Sequence, residues 1–276
     1  MSFVNHHPHR HHYHLHRISY PISLSQKLYS IFFLPLLVVL LAVVAVKIFA
    51  VAVPVSSDSI GINTLLTALS FTLIRLGIAY VLSIVVSIPL AILATQSPIL
   101  QAIFLPTFDI IQSVPILAFF PVLILIFIKI GFFNGAAVAI LFLSMVWNIV
   151  FTLIGGLNVI PRDIIAAARL LGLRGFGYFR KVLLPAMVPQ LVTGSILAFA
   201  QGWNIIIVAE VLHTYIPGGT SAQDLFGIGS ILVSASANGQ INIFLWSVLV
   251  MVLAIAFINF FIWQKLLRYA QRFRFE

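Results

Sequence analysis

Cysteine is absent from all 276 residues. That excludes a disulfide framework, a cysteine-ligated iron–sulfur cluster and a thiol nucleophile. Charge is scarce as well: 8% of the residues are charged, and only six are acidic. With 62% of the chain hydrophobic, this balance excludes a soluble globular domain and leaves a polytopic membrane protein. Seven of the eight histidines lie at or before residue 16, and His213 stands alone. The apolar runs therefore hold no His/Asp/Glu constellation on which an intramembrane enzyme would depend. No internal repeat is visible and no soluble domain of useful size is appended.

What is present is a series of long apolar runs. Residues 31–53 are long enough to cross a bilayer, which takes ~20 residues. Residues 64–95 exceed an upright crossing, with an interfacial first part and a crossing nearer 74–94. Further runs cover 110–130, 136–154, 191–211 and 243–263. The fold class expected is all-α, with about six transmembrane helices. The domain reading is a His-rich basic cytoplasmic tail over 1–30, a transmembrane domain over 31–268 and a basic cytoplasmic C-terminus over 269–276. In the tail, His6, His7, His9, His11, His12, His14 and His16 interleave with Arg10, Tyr13 and Arg17. This tract reads either as a cationic tail at the membrane surface or as a ligand set for a divalent transition metal. No metal site is assigned to it.

The formal charge of +9 does not point to nucleic acid. Twelve basic residues fall beside apolar runs on one side: Arg10, Arg17, Lys27, Arg162, Arg169, Arg174, Arg180, Lys181, Lys265, Arg268, Arg272 and Arg274. Lys47 and Lys129 lie near the other face, and Arg75 lies in a span. This asymmetry predicts both termini in the cytoplasm, with the chain multi-pass in the membrane and in contact with lipid.

One polar stretch interrupts the apolar body, Ile160 to Pro185. Pro161 suits the first turn of a helix, where its missing N–H is harmless. Asp163 follows, where the helix dipole favours an anion. Ile164, Ala168 and Leu171 share one helical face, and Gly172 is a natural stop. Ala166, Ala167 and Ala168 are small enough to let another protein surface approach the backbone.

This stretch resembles the "EAA" loop of permease subunits in ATP-binding-cassette importers. Ala166-Ala167-Ala168, Arg169 to Leu171, Gly172, nine residues, then Val182-Leu183-Leu184-Pro185 match that pattern in spacing. Ala166 stands where the family usually has Glu. The resemblance implies a coupling helix, with Ala166, Ala167, Ala168, Arg169, Gly172, Leu184 and Pro185 at the contact with a cassette ATPase. That separate subunit would bind ATP and Mg; this chain would hold no cofactor and would not be an enzyme. Three further stretches resemble the nitrate/sulfonate/taurine branch: Phe71 to Arg75, Gln112 to Pro115, and Trp203 to Glu210 leading to Gly227-Ile228-Gly229. That branch implies import of a small oxyanion or sulfonate such as nitrate, alkanesulfonate, taurine or bicarbonate. It also implies a periplasmic or lipid-anchored binding protein and a second permease copy, expected as a homodimer.

Uncharged polar residues in the spans are candidates for the translocation path: Gln112, Ser113, Asn148, Gln201 and Asn204. Each could instead bond a neighbouring helix. Arg75 either draws an anion to the outer vestibule or pairs with Glu210, and pairing is preferred because an unpaired charge at that depth is costly. Asp109 reads as a helix cap. The alternative to an importer is an ATP-independent secondary transporter or channel. It would show coupling charges in the spans or an inverted repeat.

Overall fold

The structure, a computed structural model, describes residues 60–273 apart from Pro217 and the side chain of Ala222. The His-rich tract, the apolar run at 31–53, Lys47 and Arg274 lie outside the described residues. Every regular element among the described residues is helical.

Helix α1, Ile62–Thr95, is one continuous helix. Its buried face carries Ala68, Thr72, Arg75, Ala79, Ser83, Ser87, Ala91 and Ala94. Its large residues Ile74, Ile78, Val81 and Val85 point outward. Apart from Leu65, Arg75 and Leu76, the residues inside are small and the large apolar ones lie outside, the pattern expected where lipid, not water, is the surrounding solvent. Ser87 Oγ donates across to the Val146 carbonyl at 3.1 Å.

Helices α2, Pro98–Ser113, and α3, Ile116–Lys129, meet at an 80° bend. The run expected over 110–130 as one crossing lies in this bent pair, which makes one crossing if the two helices are taken as a broken span. Pro115 removes an N–H and drives Val114 out of the helical region, to φ −72° and ψ 129°. Asp109, expected as a cap, sits inside α2.

Helix α4, Phe133–Asn158, is the centre of the core. It packs against α1 and against α6, Leu184–Glu210, through Ile140, Met145, Ile149, Leu153, Met187 and Ile206. Gly194 of α6 lies against Ile149 and Thr152, and Gly202 lies against Met145. A side chain at either glycine would hold the helices apart.

Between α4 and α6 lies α5, Arg162–Leu170. The basic helical segment expected before Leu184-Pro185 and the apolar run expected over 191–211 form one helical run from Gly175 to Glu210. A π-helical turn, Phe179–Leu183, carries it through Pro185, which cannot donate to the regular ladder. Helix α7, Ile228–Ala237, is short. Helix α8, Ile241–Ile258, continues through a second π-helical turn into α9, Gln264–Ala270. Four helical runs among the described residues are long and apolar enough to cross a membrane, and the bent pair makes a fifth if taken as one broken crossing.

Candidate functional site

The polar stretch forms a compact, exposed connection between two spans. Pro161 stands at the N-cap position of α5, one residue before the expected first turn, and Asp163 lies in that turn. Ala168 is buried, while Ala166, Ala167 and Arg169 are exposed. At the other end Gly172 takes φ +66°. The Gly172 N–H donates to the Arg169 carbonyl and the Leu173 N–H to the Ala168 carbonyl, both at 3.0 Å. These two bonds form a Schellman cap, which is why glycine stands there. Leu171, expected on the face of Ile164 and Ala168, is the C-cap and is 76% exposed. Leu170 and Phe176 are exposed at 89% and 73%. Sequence reasoning passed over both; apolar residues inside a charged loop were the available signal. Leu184 and Pro185 are half-buried at the start of α6.

At the opposite end of α6 the structure brings Arg75 and Glu210 together. Glu210 is fully buried and Arg75 is 6% exposed. Arg75 Nη1 donates to Glu210 Oε1 at 2.7 Å. The Thr72 hydroxyl donates to the same oxygen at 2.7 Å. The Gly229 N–H donates to Glu210 Oε2 at 2.8 Å, and the Ile228 N–H to Thr72 Oγ1 at 3.0 Å. A carboxylate at the first turn of α7 is favoured by the helix dipole. Arg75 Nε also donates to Asn134 Oδ1 at 2.9 Å. A Cβ at Gly227 would strike the Glu210 carboxylate, so that position needs glycine. Sequence reasoning missed Thr72 and Asn134 as partners, because their contacts span 138 and 59 positions.

The path candidates do not converge by hydrogen bonding. Gln112 Nε2 donates to Asp109 Oδ1 at 3.1 Å and Ser113 Oγ to the Asp109 carbonyl at 2.7 Å, all exposed beside the α2–α3 bend. Asn148 Nδ2 donates to the Ser144 carbonyl within α4. Gln201 is half-buried and Asn204 exposed on α6, and neither bonds another described residue. His213 is not alone: its Nδ1 lies 2.8 Å from both carboxylate oxygens of Asp224. Among the described residues no three of His, Cys, Asp and Glu come together to hold a metal.

Residues 83–269 match the family described as "binding-protein-dependent transport system inner membrane component". A nitrate import permease protein NrtB of Leptolyngbya laminosa is 32% identical over 156 residues, covering 56% of this chain and 55% of that one. A bicarbonate transport system permease protein CmpB of Synechocystis sp. is 30% identical over 144 residues, covering 52% and 50%. The chain thus spans about half the length of the curated relatives it matches. An inward-facing structure of the MetNI methionine ABC transporter shares the fold at a TM-score of 0.60 and 19% identity, covering 75% of this chain and 96% of that one. More than half of the sequence falls within the matched region, and the chain belongs to the family of binding-protein-dependent transport system inner membrane components.

Proposed function

We propose that this chain is the membrane-spanning permease subunit of an ATP-driven importer for a small oxyanion or sulfonate. The observation that carries the reading is α5 and its Schellman cap. A short amphipathic helix, fixed at its end by Gly172, leaves Ala166, Ala167, Leu170, Leu171 and Phe176 open between two long apolar helices. An exposed apolar surface on a polar loop fits docking against a protein partner. That partner is a cassette ATPase, which binds ATP and Mg; this chain hydrolyses nothing. Closure of the ATPases moves α5 and biases a two-state packing of the spans. A second copy of the chain completes the path. A binding protein delivers the solute on the outer side, and both termini face the cytoplasm of the bacterial cell. The neutral groups of Gln112, Ser113, Asn148, Gln201 and Asn204 can hydrogen-bond a passing anion without trapping it. Substrate class follows the branch resemblance, supported by nitrate and bicarbonate permeases among the relatives.

The test is purification of the native protein from detergent-solubilised membranes with mass spectrometry of its companions. A stoichiometric cassette ATPase, lost in a Leu170→Ser/Phe176→Ser variant, is the expected result. Activity in liposomes without ATP, from a preparation free of ATPase, would overturn the reading in favour of a secondary transporter.

A further inference from the structure

Helix α5 carries charge of one sign on its open face. Arg162, Ala166 and Arg169 follow at i, i+4 and i+7, so they share one side of the helix. All three are exposed, as are Arg174 beyond the cap and the apolar Leu170, Leu171 and Phe176. None of the three arginines has an ion-pair partner among the described residues. Asp163, the one acid between Ile160 and Pro185, lies ~100° round the helix from Arg162. It sits in the first turn, where the helix dipole already favours it. Arg162 and Arg169 stand about 10 Å apart along the axis. They therefore do not converge on one small anion. Their spacing suits a surface that carries several anionic groups.

Lipid headgroups would supply such a surface if α5 lay among them. The helices on either side of α5 set its height. Asn134 of α4 and Glu210 of α6 both accept from Arg75, at 2.9 and 2.7 Å, so the two helices are level there. From that level α4 extends about 36 Å to Asn158, and the run back to Gly175 extends about 52 Å. Charged groups favour the edge of the hydrocarbon core over its centre. With the Arg75 cluster at one edge of a ~30 Å core, the opposite headgroup layer ends at about 38 Å. Helix α5 is thus held at the limit of that layer and beyond it, in water. Apolar side chains exposed there, bordered by guanidinium groups, match the centre and rim of a protein interface. The planar fork of arginine suits a carboxylate in bidentate geometry.

We propose that the groove receiving α5 is acidic. The ATPase subunit carries Asp or Glu side chains opposite Arg162, Arg169 and Arg174, around an apolar pocket for Leu170, Leu171 and Phe176. This deepens the importer reading and rests on it. Ala166, set between two arginines, is where the sign of the groove is read most directly.

The test is the affinity of the purified full-length chain for its co-purifying ATPase, measured in nonionic detergent free of anionic lipid. Ala166→Glu places a carboxylate three and four positions from Arg169 and Arg162, with which it pairs, so α5 itself is not weakened. Facing an acidic groove, it is expected to raise the Kd at least about tenfold at ~0.1 M salt, because like charges across an interface are costly. Arg162→Gln/Arg169→Gln removes two rim charges and is expected to raise the Kd roughly two- to tenfold. Both losses should shrink to within about twofold at ~1 M salt, where screening leaves a range of only ~3 Å. An unchanged or lowered Kd for Ala166→Glu would overturn the proposal. So would losses that emerge only once phosphatidylglycerol is added, which would make lipid the partner of the arginines. An ATPase that binds every variant normally sinks this proposal alone. A chain that brings down no ATPase sinks the importer reading together with it.

Discussion

Glu210→Gln keeps the shape of the side chain and removes the charge that faces Arg75. The guanidinium then stays 94% buried with no carboxylate beside it. Removing one partner of a buried ion pair costs about 3–5 kcal/mol, because the other charge cannot regain water. At ~2–4 °C per kcal/mol for a chain of this size class, the melting point should fall by roughly 6–20 °C. Arg75→Met should destabilise less. Glu210 would keep the Thr72 hydroxyl and the Gly229 N–H. The double variant leaves no charge behind, so it should melt above Glu210→Gln alone, with a coupling of about 0.5–3 kcal/mol. The assay is thermal unfolding of the detergent-solubilised chain, followed by tryptophan fluorescence. A double variant that loses the sum of both single losses would refute the argument that pairing holds this cluster together.

Other substitutions test other parts of the fold. Gly194→Val places methyl groups against Thr152 Oγ1 and within reach of Ile149 Cα, 3.1 Å from a Cβ at that position. It should cost about 1–3 kcal/mol or more by separating α4 from α6, read as a lower melting point and yield. Gly172→Val forces a branched side chain into φ +66°, a strain of about 1–3 kcal/mol. ATP-driven uptake should fall while the amount of protein in the membrane, measured by blotting, stays constant. Pro115→Ala lets Val114 return to the helical region; spin labels at positions 103 and 125 should move apart as the 80° bend opens, measured by pulsed electron resonance.

Much of this was legible in the sequence because lipid imposes simple rules. Length and apolarity marked the long helices at 62–95, 133–158 and 241–273. The spacing around Gly172 marked a helix stop, and the left-handed glycine with its two cap bonds supplies the geometry. Where periodicity failed, proline was the cause. Pro115 bends the run expected as one crossing into two helices. Pro185 did the reverse: a π-helical turn absorbed it, and the basic helical segment expected before Leu184-Pro185 joins the following apolar run in one helical run from Gly175 to Glu210. Charge logic reached Arg75 and Glu210, since few other groups could neutralise them at that depth. It could not reach Thr72, Asn134 or the two backbone N–H groups of α7. A hydroxyl or a peptide group carries no signal of its partner until the chain is folded. The pairing of His213 with Asp224 was missed for a related reason: both lie in a connection whose turns the sequence leaves open.

Helix α6 has the proportions of a transmission shaft. Its 27 residues extend roughly 40 Å. One end begins at Leu184-Pro185, directly after the polar loop. The other is Glu210, clamped to α1 and the start of α7, while α1 is itself tied to the start of α4 through Asn134. A clamp of this kind does not flex at its own position. A displacement of the Glu210 end of α6 would carry α1 and α7 with it. The break at Val114-Pro115, where no helical hydrogen bonds bridge α2 and α3, lies outside this clamp, so α2 and α3 are not tied to the movement of α6 through it.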